Sequence, residues 1–171
     1  FKSVNDTYGH HTGDEVLRRV SKVIRELHKD HGLVCRYGGE EFCVILPDFD
    51  LERAFAQAER TRVAITEILL EDPAELKLTA SMGVSELRFD PSDPQDLINQ
   101  ADACLYVAKR EGRNRVIAYQ PKMADMVDDV ESEMPMPKRI EIPYQAVTAL
   151  VSALSYRDVN TCLLYTSDAA D

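Results

Sequence analysis

The sequence contains no run of 18 apolar residues and opens on no secretory leader, so neither a membrane-spanning helix nor export is expected. It has no CxxC pair and no zinc-type spacing. Cys35, Cys43, Cys104 and Cys162 stand apart, three of them in apolar strand or helix patterns, and read as reduced, buried thiols suited to a cytoplasmic location. A basic excess is also missing. The formal net charge is −10, which argues against non-specific grip on a nucleic-acid backbone but leaves room for a small phosphate ligand held by a few placed cations. The acidity is unevenly spread: residues 1–119 carry 16 basic and 21 acidic side chains, and the short run from Asp125 to Glu133 adds five more acids. No internal repeat is visible. There is no starting methionine either, and Phe1-Lys2-Ser3-Val4-Asn5-Asp6 begins as though in mid-strand, so a truncated N-terminus is expected.

What is present is globular in character. With 44% hydrophobic and 29% charged residues, 171 residues suit one domain plus a remainder. A Gly- and Asn-bearing loop through Gly13 precedes a helix whose Val16, Leu17, Val20, Val23, Ile24 and Leu27 fall on one face. Gly32 is the expected stop. Asp48 or Asp50 should cap a second helix over Leu51–Leu70. Leu76, Leu78, Ala80, Met82 and Val84 alternate with smaller or polar residues, predicting a strand with one face inward. Asp93-Pro94 predicts a third helix running to Gly112, followed by a short strand at Arg115–Tyr119.

Between the first two helices lies the most informative stretch, Arg36-Tyr37-Gly38-Gly39-Glu40-Glu41-Phe42. The strand-like runs Leu33–Cys35 and Phe42–Leu46 flank it, so the Gly-Gly pair predicts a tight hairpin through positive φ. Bare backbone that a polyphosphate could approach then adjoins two carboxylates able to hold a divalent cation. The neighbouring His10 and His11 point apart in sequence terms, have no partner at ligand spacing, and are not read as a metal site.

Four stretches together, Phe1–His10, Gly13-Asp14, Arg36–Phe42 and Lys109-Arg110-Glu111-Gly112-Arg113-Asn114, resemble a GGDEF-domain diguanylate cyclase in order and spacing over residues 1–119. The resemblance implies an α/β sandwich, ferredoxin-like and related to the palm of nucleotide cyclases and polymerases, here missing its first strand. It implies condensation of two GTP into cyclic di-GMP with release of pyrophosphate, a Mg²⁺ or Mn²⁺ requirement, and catalysis across a homodimer. Carried over by position, Asn5 and Asp14 would read the guanine edge, Gly38 and Gly39 would admit the nucleotide, and Glu40 would ligate metal. Glu41 would ligate a second metal or help deprotonate the attacking 3′-hydroxyl. Lys109 and Arg113 would grip the terminal phosphates, their i, i+4 spacing placing them on one face if the helix continues. Two departures accompany the resemblance. The family's other metal carboxylate would lie three residues before Phe1, so the fragment is expected to turn over poorly. The inhibitory Arg-x-x-Asp pattern is replaced by Lys29-Asp30-His31-Gly32, so feedback through it is not expected.

Beyond residue 119 the character changes. Residues 120–143, punctuated by Pro121, Pro135, Pro137 and Pro143, read as an acidic linker. Residues 144–161 form an amphipathic pattern similar to the opening helix of HD-type (HD-GYP-like) phosphodiesterase domains. Residues 162–171 read codon for codon as a translated transposase sequencing adaptor, and are expected to stand outside the fold.

Overall fold

The computed structural model describes residues 1–87, 94–121 and 161–169. The HD-like pattern at 144–160 and the linker beyond Pro121 lie outside the described residues, as does the cap assigned to Asp93. In chain order the elements are α1 (Lys2–His28), β1 (Leu33–Arg36), β2 (Glu41–Pro47), α2 (Leu51–Thr66), β3 (Thr79–Glu86), α3 (Pro94–Arg110), β4 (Val116–Ala118) and β5 (Thr161–Ala169). They build one mixed sheet of order β1-β2-β5-β3-β4, parallel only between β3 and β4. Helices cover both faces, giving a mixed α/β architecture. No helix among the described residues is long and apolar enough to cross a membrane.

Strand alternation explains how both faces are filled. On β2, Phe42, Val44 and Leu46 join Val16, Val20 and Ile24 of α1 and Ala54, Ala58 and Ile65 of α2 in one core cluster. Cys43 and Ile45, on the other face, join Leu97, Ile98, Ala101 and Leu105 of α3 in a second. The expectation of a one-sided strand at 76–84 is corrected on both counts. The strand runs Thr79–Glu86, and every residue after Thr79 is buried. The second face is small rather than polar in effect: a Cβ on Gly83 would overlap the Ala101 carbonyl and lie 2.6 Å from the Leu105 amide nitrogen. The Ser85 hydroxyl also donates to the Leu97 carbonyl at 2.7 Å. A helix backbone therefore lies directly on the strand.

The stretch after Phe1 is also not a loop. Residues from Lys2 are helical, and the chain bends at Gly9 (φ 83°, ψ 163°), a region open essentially to glycine alone. Val4, buried at 2% exposure, anchors this first segment. The second helix stops at Thr66 rather than residue 70, and Asp50, not Asp48, caps it by accepting from the Arg53 amide at 2.8 Å.

The largest correction concerns the C-terminal segment. Thr161–Ala169 does not stand outside the fold but forms the central strand, antiparallel to β2 from Glu41↔Ser167 to Pro47↔Thr161 and to β3 from Thr79↔Ala169 to Glu86↔Cys162. Both flanking strands have backbone groups that need partners once helices cover the sheet, and an extended segment there satisfies them.

One buried polar cluster joins α1 to α2. His28 is fully buried, with Nε2 3.0 Å from the Thr61 hydroxyl, which itself donates to the Gln57 carbonyl at 2.9 Å. The hydroxyl proton is thus committed, so His28 donates through Nε2–H, and its Nδ1 has no partner. Burial, with the nearby His31 and Arg60 charges, pushes the imidazole down to about 4.

Candidate nucleotide and metal site

The hairpin forms where expected, but by a different device. Neither Gly38 nor Gly39 has positive φ among the residues that do. The turn spans more residues than a two-residue hairpin and closes through the Tyr37 and Gly38 amides donating to the Glu41 carbonyl at 2.7 and 3.2 Å. A Cβ on Gly38 would lie 2.6 Å from Oε2 of Glu41, the free end of that flexible side chain. Arg36 holds the turn from below, its Nε donating to the Gly38 carbonyl at 3.2 Å and its Nη2 to the Gly39 carbonyl. With those carbonyls tied back, the exposed Gly39 presents open backbone, and Glu40 and Glu41 sit half-buried beside it.

Asn5 and the Gly13-Asp14 pair are brought together by the Gly9 bend. A Cβ on Gly13 would overlap Asn5 Oδ1 and lie 3.2 Å from Phe1 Cζ, so the amide of Asn5 rests against the start of the long helical segment. Asp14, next in sequence, is exposed. An amide and a free carboxylate at one bend offer both acceptors and a donor to a heterocycle edge.

Lys109 and Arg113 are arranged otherwise than by helical spacing. Helix α3 ends at Arg110, and Gly112 (φ 107°), Arg113 (φ 59°) and Asn114 (φ 47°) make a left-handed turn closed by the Arg113 amide donating to the Ala108 carbonyl at 3.0 Å. Lys109 and Arg113 therefore do not share a helix face, since the glycine-led cap intervenes. Lys109 remains in the last turn, half-buried, whereas Arg113 is exposed.

Two residues that the sequence reading left without a role belong to this region. Arg36 is one, through its clamp on the hairpin. Asp102 is the other: burial raises its carboxyl above the usual range, the Glu41 charge raises it further, and Lys109 opposes both. Nothing in the spacing of a helical Asp reveals that neighbour, because it comes from a distant strand.

A divalent cation suits the oxygen donors of this hairpin. Mg²⁺ typically takes one or two protein carboxylates together with substrate phosphates, so Glu40 and Glu41 fit such a role. Among the described residues no group of three or more His, Cys, Asp or Glu converges on a point. On the far side of β1, Lys29 and Gly32 line a cleft with Ser21, Arg25 and Arg36.

Residues 1–115 match the sequence model described as "Diguanylate cyclase, GGDEF domain". The chain belongs to the GGDEF family. It is similar to diguanylate cyclase A of Treponema denticola, 42% identical over 117 residues, which cover 68% of this chain and 32% of that protein. It is likewise similar to the response regulator PleD of Caulobacter vibrioides, 41% identical over 120 residues, covering 68% of this chain and 26% of that one. The chain thus spans about a quarter to a third of the curated relatives it matches. Among solved structures, the active GGEEF domain of a diguanylate cyclase from Vibrio cholerae superposes with a TM-score of 0.64 at 37% identity, covering 70% of this chain and 76% of that one. The GGDEF domain of DgcB from Caulobacter crescentus, solved in complex with c-di-GMP, gives 0.63 at 38% identity, covering 68% and 70%. This GGDEF domain carries the signature in its Gly-Gly-Glu-Glu-Phe form at Gly38–Phe42.

Proposed function

We propose that this GGDEF domain belongs to a diguanylate cyclase that condenses two GTP into cyclic di-GMP, releasing pyrophosphate, in bacterial second-messenger signalling. The observation that carries the reading is the signature hairpin itself: open backbone at Gly39, two half-buried carboxylates and an arginine clamp holding the turn in shape. In this reading Asn5 and Asp14 accept and donate at the guanine edge. Gly38 and Gly39 admit the phosphates, and Lys109 and Arg113 grip their terminal oxygens. Glu40 and Glu41 hold Mg²⁺ or Mn²⁺, which when bound neutralises phosphate charge and supports the leaving pyrophosphate. In the alternative assignment, Glu41 helps deprotonate the attacking 3′-hydroxyl and leaves the second metal to other ligands.

The finer parts of the proposal follow from the resemblance. The fold is of the ferredoxin-like palm type, and each chain holds one GTP, so a homodimer brings two together. GTP places the work in the cytoplasm. An HD-type domain following the linker is part of the same reading.

The test is to incubate the chain, and a version extended at its N-terminus by a family strand, with GTP and Mg²⁺ and to follow cyclic di-GMP. Cyclic di-GMP is expected from the extended chain. Tight GTP binding without product in the extended chain would replace the cyclase reading by that of a nucleotide-binding module. Full turnover in Glu40→Ala would remove Glu40 from the metal site.

A further inference from the structure

We propose that Arg62 of α2 is a positioning residue: through the side chain of Asn114 it fixes the left-handed turn that presents Arg113 to the terminal phosphates of a bound nucleotide. The phosphate role rests on the nucleotide reading above. The turn is one that the chain would not hold unaided. Gly112, Arg113 and Asn114 follow one another at φ 107°, 59° and 47°. Left-handed backbone is visited by single residues, chiefly glycine and asparagine, so a run that includes an arginine needs bonds to keep it there. Backbone and neighbouring side chains supply some of them. The Arg113 amide donates to the Ala108 carbonyl at 3.0 Å. Arg115 donates through Nε to the Arg113 carbonyl at 3.3 Å and through Nη1 to the Glu111 carboxylate at 2.9 Å.

Those partners are local and move with the turn. Arg62 comes from elsewhere: its Nη1 donates to Asn114 Oδ1 at 2.9 Å across 52 positions of sequence. The guanidinium is itself held. Its Nε donates to Glu59 Oε2 at 2.9 Å, Nη2 lies 2.9 Å from the same oxygen, and the side chain is only 20% exposed. The planar fork thus spends one edge on its own helix and offers the remaining nitrogen to the turn. Helix α2 is a fixed support, with Ala58, Thr61 and Ile65 buried on either side of Arg62. Asn114 suits both demands, because asparagine tolerates left-handed φ and its amide oxygen accepts from the clamp. Arg113 makes its bonds in this turn through the backbone and keeps its side chain exposed. A guanidinium presented from a fixed backbone gives up less freedom on meeting phosphate than one carried by a loose loop.

The test compares the full chain with Arg62→Met, Asn114→Gly and the control Arg60→Met, a cation that bonds to Gln57 on its own helix. Without nucleotide, NMR reads the strong NOE between the amide and Hα protons of Arg113 that a positive φ produces. It should weaken in Arg62→Met and in Asn114→Gly and hold in Arg60→Met. An undiminished NOE in both clamp variants overturns the proposal. GTP affinity with Mg²⁺ is then measured by calorimetry. Arg62→Met and Asn114→Gly should each lose about five-fold, the worth of one hydrogen bond, and the double variant no more than either alone. In an Arg113→Met background, Arg62→Met should add no further loss. A loss that persists there reports the missing charge of Arg62 and overturns the positioning role, as do additive losses in the double variant or full affinity in Arg62→Met. A parent chain that binds no GTP while Arg62→Met still loosens the turn refutes the nucleotide reading and the phosphate role, leaving only the clamp.

Discussion

Acidification is expected to loosen the packing of α1 against α2 through His28. The imidazole is fully buried and donates to Thr61, with Nδ1 unpartnered, and it titrates at about 4 in the folded chain against 6.5 when free. A histidine depressed on folding binds more protons when unfolded, so stability is complete above pH 6.5 and falls as pH drops toward 4. Over that window the loss approaches about 1.4 kcal/mol per pH unit and totals about 3 kcal/mol, a large share of the stability of an ordinary domain. Urea unfolding of the chain and of His28→Leu, measured at several values between about pH 7.5 and pH 4, isolates the effect as a difference between the two. Leucine removes the titrating group, and Thr61 keeps its bond to the Gln57 carbonyl. The difference should therefore shrink steadily with falling pH and level off near pH 4. A difference that stays flat through this window would refute the assignment of the acid sensitivity to His28.

Other substitutions test separate links. Gly83→Ala should cost about 3 kcal/mol by driving α3 off the sheet, because the new methyl meets helix backbone that cannot turn aside; a urea midpoint measures it. Gly9→Ala should cost about 1–3 kcal/mol although its side chain would meet nothing within 4 Å, since the whole penalty is backbone strain at φ 83°. Gly13→Ala should change the melting temperature little, because the flexible end of Asn5 and the ring edge of Phe1 are what must move. It should weaken GTP binding about ten-fold by displacing that amide, a loss of one well-made hydrogen-bond pair read by calorimetry.

Much of the fold was legible because it is local. The α1 face of Val16, Val20 and Ile24 and the α2 cap at Asp50 follow from helical period and cap chemistry, and both are found. The hairpin was legible from its glycines, though its turn closes by the Tyr37 and Gly38 amides donating to the Glu41 carbonyl and not through positive φ. The helix over residues 2–8 was missed because Asn5, Asp6 and Gly9 read as loop formers, while buried Val4 and the bend at Gly9 resolve the conflict in three dimensions. Similarly, β3 looked one-sided because Ser81, Gly83 and Ser85 are not large apolar residues. Their smallness is what admits α3.

By itself the sequence determined the helical faces, the signature at Gly38–Phe42 and the inventory of charged groups a nucleotide site would use, since each depends on spacing within a short window. The tertiary structure alone decided three things. Thr161–Ala169 became the centre of the sheet, because backbone pairing accepts any extended segment of suitable direction and reads little of its side chains. His28 became a buried neutral base, because the Thr61 hydroxyl, committed to the Gln57 carbonyl, reaches it from another helix. Helix α3 came to lie directly on β3, because Gly83 leaves room for the Ala101–Leu105 backbone. Those outcomes depend on contacts between residues far apart in the chain, which periodicity does not encode.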